Sequence, residues 1–143
     1  MRTTTRIILS AVLCVAGLLG ANAQSVSFNK GGKLKIVQFT DIHWVAGKPE
    51  TADAAANMNR VLDEEKPDIV IYTGDITTGK PATEGLDKAL EPVIRRGIPY
   101  AVTFGNHDDE QDLTRPQLYE YIKSKEGCLN AKTEGRDFVI TIT

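Results

Sequence analysis

The sequence predicts an α/β fold, a layered sandwich that opens with a βαβαβ run. Three short apolar runs rich in β-branched and aromatic residues alternate with two segments of helical period. Strands that alternate with helices imply crossover connections and a parallel sheet, and near-continuous apolar strands suit a sheet covered on its faces.

The elements follow in order. Leu34 to Phe39, Ile69 to Tyr72 and Tyr100 to Phe104 are the expected strands. Glu50 to Lys66 places Ala54, Met58, Val61 and Leu62 at helical spacing, and Lys66-Pro67 ends it. Thr83 to Arg96 puts Leu86, Ala89, Leu90, Val93 and Ile94 on one stripe. Pro92 lies inside that stripe, so a kink or break is expected there, and Gly97-Ile98-Pro99 stops the helix. A third helix is expected from Leu113 to Lys125, followed by a strand from Arg136 to Ile142 in which Phe138, Ile140 and Ile142 alternate. That strand runs to Thr143 without a following turn, so the chain is expected to be truncated, the first part of a longer domain.

The amino terminus reads differently. Arg2 and Arg6 precede an uncharged run from Ile7 to Gly20, and Ala21-Asn22-Ala23 forms a small-x-small triplet before Gln24. Residues 1–23 are therefore expected to be a secretory signal peptide, the run being shorter than the roughly 18 apolar residues of a membrane span. No stable membrane anchor is expected, and the mature protein is placed outside the cytoplasm, secreted or periplasmic. Seventeen Lys and Arg against 19 Asp and Glu give a net charge of −2, and loss of Arg2 and Arg6 leaves 15 against 19, or −4. That balance excludes a basic footprint for nucleic acid. Cys128 is the one cysteine beyond residue 23, so no intrachain disulfide forms there, and its surroundings suggest a structural role.

The chemistry-bearing residues gather after the strands. Asp41-Ile42-His43 follows the first, Gly74-Asp75 the second and Gly105-Asn106-His107-Asp108 the third. The carboxyl edge of such a sheet is where ligands bind, so these segments should converge. Asp41 and His43 can turn an oxygen and an imidazole nitrogen toward one ion. Asp75 has two oxygens with which to bridge ions about 3.5 to 4 Å apart, and Asn106 offers a carbonyl oxygen to the second. Asp108 is placed to orient His107, as a carboxylate behind an imidazole does. Singly, each residue has a structural alternative: Asp41 in a turn, Asp75 as a cap, His43 as a satisfied buried side chain. Asp109, Glu110 and Asp112 read as a solvated acidic loop leading into the third helix, and Trp44 and Tyr72 as packing residues or pocket walls. Gly74 to Lys80 also satisfies seven positions of a phosphate-binding P-loop, but the eighth is Pro81 where magnesium binding needs Ser or Thr.

Asp-x-His, Gly-Asp and Gly-Asn-His-Asp at successive strand ends resemble the calcineurin-like metallophosphoesterase superfamily, with residues 24–143 as the amino-terminal part of such a domain. The resemblance implies two divalent metal ions, drawn from Mn, Fe, Mg or Zn. Asp41, His43 and Asp75 would hold the first, and Asp75 and Asn106 the second. His107 would contact the phosphate or protonate the leaving group. The implied reaction is hydrolysis of a small-molecule or macromolecular phosphate mono- or diester. Gly105 to Leu113 further resembles the purple-acid-phosphatase-like branch, but Thr78 stands three residues after Asp75, where purple acid phosphatases place a tyrosine ligand. Iron-tyrosinate colour should therefore be absent. The family completes its site with downstream histidines, including Gly-His-x-His, and none follows His107. The chain alone is expected to be inactive, and a non-catalytic metal- or partner-binding fragment is the alternative.

Overall fold

The computed structural model describes residues 26–132 and 139–143. The expected signal peptide lies outside the described residues, as do positions 136–138 of the expected last strand.

Three parallel strands, β1 (Ile36–Phe39), β2 (Ile69–Tyr72) and β3 (Tyr100–Val102), lie side by side in chain order. Ile36 is in register with Ile69, and Val70 with Tyr100. The crossovers are α1 (Pro49–Glu65) and α2 (Ala82–Ile94), and α3 (Arg115–Lys123) follows β3. The two crossover helices stop for local reasons. Lys66 closes α1 in the left-handed region at φ 47°, returning its N–H to the Leu62 carbonyl ahead of Pro67. After α2, Gly97 at φ 64° donates to the Ile94 carbonyl. The helix carries on through Pro92 to Ile94. Pro92 forfeits the bond that an N–H there would make to the Lys88 carbonyl, but it is buried with the apolar stripe and the helix ends at Ile94.

Side chains alternate across the strands, and the two faces differ. Val37, Phe39, Val70, Tyr72, Tyr100 and Val102 point toward the helices. There they pack with Met58 and Leu62 of α1, Leu86, Leu90 and Val93 of α2, and Leu118 and Ile122 of α3. Burial of such aliphatic side chains is worth roughly 1.5 to 3 kcal/mol each. Tyr72 resolves its buried hydroxyl by donating to the Ala89 carbonyl at 2.9 Å. On the opposite face, Ile69 and Ala101 pack with Val26 and Leu129, flanked by Leu34, Ile140 and Ile142. Ile140 and Ile142 are half-buried between exposed neighbours, so the expected alternation holds, although residues 139–143 are not a strand.

The outer edge of β3 is closed by the segment after α3. Tyr100 donates to the Gly127 carbonyl, and the Asn130 side-chain amide both accepts from Val102 N–H and donates to Val102 C=O, each at 2.9 Å. Cys128, paired with Tyr100 in a parallel bridge, is buried there, in keeping with a structural role.

Candidate metal centre

All three strands point their carboxyl ends at one place, and hydrogen bonds carry the sheet beyond them. Thr73 donates to Phe39 and Thr103 to Tyr72. The loops after β1 and β2 then zip together: Asp41 N–H to Gly74 C=O at 3.1 Å, His43 to Asp75 at 2.9 Å, and Trp44 to Ile76 at 2.8 Å. The backbone is pinned where the side chains must diverge from the sheet.

Asp41, His43 and Asp75 each bring a ligand atom to this edge, all within 4.8 Å of one another. These same three residues have positive φ, at 54°, 48° and 50°. Left-handed backbone costs a non-glycine residue on the order of 1 to 3 kcal/mol and concentrates at functional sites. Asp and His tolerate it better than branched residues do. Two carboxylates and an imidazole are a donor set that suits a divalent ion such as Mn, Fe or Zn, so the three residues fit one metal. Asn106 and His107 follow on the loop after β3. Asn106 is exposed, and the His107 imidazole lies 5.7 Å from that of His43, centre to centre.

That third loop is held to the second by a reciprocal clasp. The Asp75 carboxylate accepts the His107 amide at 3.0 Å. Asp108, fully buried, accepts the amides of Asp75 (2.9 Å), Ile76 (2.7 Å), Thr77 (3.1 Å) and Gly105 (2.7 Å). Gly105 is required by proximity: a Cβ there would run into the Asp75 carboxylate and sit 2.6 Å from its backbone nitrogen. Arg115 then grips the loop from α3, donating to the carbonyls of Phe104 (2.8 Å) and Gly105 (2.6 Å) while paired with Asp109.

The structure therefore places Asp108 against backbone amides, and the carboxylate at the His107 ring is Glu110, 2.8 Å from Nδ1. That hydrogen bond, with the attraction of the two charges, raises the His107 pKa above its ordinary value. Asp109, Glu110 and Asp112 are exposed, as expected of a solvated loop, yet each carboxylate has a partner. Asp112 accepts the first amide of α2, Ala82 N–H, at 2.8 Å. Sequence reasoning missed Glu110, Arg115 and the clasp; the return of Glu110 onto a histidine three residues back in a turn was the available clue. Trp44 and Tyr72 belong to the core. Thr78 spends its hydroxyl on the His43 carbonyl at 3.3 Å.

A metal-ligand cluster at the carboxyl edge of a parallel sheet, tied to a Gly-Asn-His loop, defines a metallophosphoesterase-type domain. The chain belongs to the calcineurin-like phosphoesterase family, whose sequence model matches residues 34–139. It is 39% identical over 115 residues to Phosphatase DCR2 of Saccharomyces cerevisiae, covering 68% of this chain and 20% of that protein. It is 30% identical over 149 aligned positions to Probable inactive purple acid phosphatase 14 of Arabidopsis thaliana, covering 84% and 37%. Over 77 residues it is 34% identical to the uncharacterized metallophosphoesterase YkuE of Bacillus subtilis, covering 52% and 26%. The chain thus spans between 20% and 37% of the length of these relatives. No solved structure matches it.

Proposed function

We propose that this chain carries the first part of a dinuclear phosphoesterase site that hydrolyses phosphate mono- or diesters, on the purple-acid-phosphatase-like branch of its family. The observation that carries the reading is the convergence of Asp41, His43 and Asp75 within 4.8 Å, with Asp75 also holding the His107 amide. Asp41, His43 and Asp75 are the proposed ligands of one ion. Asp75, through its second oxygen, and Asn106 are those of another. The ions supply Lewis acidity and an activated water when bound. His107 is proposed to meet the phosphate or protonate the leaving group, a role worth roughly 10²- to 10⁴-fold in rate. Asp108 acts by positioning: it holds Asp75 and the His107 loop in register.

The likeness to a protein named as a phosphatase supports catalysis. A likeness to one named as probably inactive supports a second reading, a domain that binds metal without turnover. Three acidic or histidine ligands in the one cluster found among the described residues support that reading as well. Among the described residues no helix is long and apolar enough to cross a membrane. Residues 1–23 are proposed as a signal peptide, which would place the protein in the periplasm or outside the cell.

The test is hydrolysis of p-nitrophenyl phosphate and bis-p-nitrophenyl phosphate, with Mn²⁺, by the purified full-length protein that carries this chain rather than by residues 24–143 alone. Turnover that falls at least about 10²-fold in His107→Asn supports the phosphoesterase. Tight Mn²⁺ binding with no turnover of either ester establishes the metal-binding reading instead.

A further inference from the structure

We propose that Glu110 is a positioning residue for His107: its carboxylate holds the Nδ1–H of the imidazole so that Nε2 is the nitrogen turned toward a phosphate ester, which it serves as a donor only when the ring is protonated at both nitrogens. The functional half of this statement rests on the proposed phosphoesterase reading; the tautomer does not.

Pinned backbone on both sides of His107 makes the contact with Glu110 decisive. The His107 amide is tied to Asp75 Oδ1 at 3.0 Å, and the Gly105 amide to Asp108 at 2.7 Å. Arg115 holds the carbonyls of Phe104 and Gly105. Glu110 N–H donates back to the His107 carbonyl at 3.3 Å, closing a turn that returns its side chain over the ring. Rotation about the side-chain bonds is the freedom left to the imidazole, and Glu110 Oε2 sits 2.8 Å from Nδ1. An ionised carboxylate can only accept, so Nδ1 carries the proton. The nitrogen across the ring, Nε2, is then left to the ligand, as when a carboxylate behind an imidazole fixes which nitrogen faces a metal or substrate. Both side chains are about half exposed, 43% for His107 and 56% for Glu110, so the effect is one of orientation more than of buried energy.

The test is long-range ¹H–¹⁵N correlation NMR of the metal-free protein, at a pH where the rings are neutral. With two histidines in the chain, a His43→Gln sample assigns the signals. His107 should be mainly Nδ1–H in the wild type and in Glu110→Gln, whose amide oxygen still accepts. In Glu110→Ala the majority should shift to Nε2–H, the form an unconstrained imidazole favours in water. A wild-type ring that is mainly Nε2–H overturns the proposal, as does an alanine variant with an unchanged tautomer ratio. Should the alanine variant not fold, the wild-type spectrum decides alone. Because the spectra are taken without metal or ester, failed hydrolysis with a shifting tautomer defeats the phosphoesterase reading and leaves the Glu110 assignment standing.

Discussion

The buried carboxylate of Asp108 accepts the backbone N–H of Asp75 at 2.9 Å, so the residue expected to bridge metals is held in place from the neighbouring loop. Three further amides, of Ile76, Thr77 and Gly105, converge on the same two oxygens. Hydrogen bonds to a charged acceptor contribute about 1.5 to 3 kcal/mol each, and donors left buried without a partner cost a similar amount. Asp108→Ala should therefore destabilise the domain by about 3 kcal/mol or more, read from urea unfolding. Asp108→Asn should also destabilise it, because one accepting oxygen becomes an NH2 that faces two of these N–H donors. An alanine variant with an unchanged midpoint would show that the clasp contributes nothing.

Asp41 separates stability from function. At φ 54° its backbone is in a region that glycine enters without steric cost, while its side chain is one of the three clustered ligands. Asp41→Gly is expected to hold or raise the melting temperature, by the equivalent of about 1 kcal/mol at most, and to weaken Mn²⁺ binding. A variant that loses stability and keeps its affinity would contradict both halves of this account.

The shape of the fold was legible in the sequence because it is written in periodicity. The spacing of Leu86, Ala89, Leu90 and Val93 marks the buried stripe of α2, and all four are fully buried. The ligand loops were legible for a related reason: Asp41, Asp75 and Asn106 each follow the end of an apolar strand. What holds the loops was not. Asp108, Asp112 and Arg115 bind backbone amides and carbonyls, partners that carry no residue identity, so no spacing announces them. Asp112 accordingly read as part of a solvated loop and is exposed, but it also accepts the first amide of α2, while Asp108, read as a partner of the His107 ring, is buried against backbone amides. Pro92 marks a limit of a different kind. Its effect depends on where α2 ends, and the helix extends only to Ile94.

Cys128 makes a prediction about pH. Burial pushes its thiol pKa above the ordinary value. The folded state thus keeps a proton that the unfolded state releases near pH 8.5. This contribution to stability is intact below that pH and declines as pH rises above it. In a Cys14→Ser background, native protein at pH 8 should resist a maleimide that labels the urea-unfolded chain within minutes. Rapid labelling of the folded protein would place Cys128 outside the core.

The central claim, that Asp41, His43 and Asp75 form a metal site, is tested most directly by calorimetric titration of Mn²⁺ into the wild type and into His43→Ala and Asp75→Asn. Disturbing even a residue behind a metal ligand typically costs 10- to 100-fold in affinity, so loss of either ligand should weaken binding by at least about tenfold. Wild-type affinity no tighter than that of the two variants would contradict the claim.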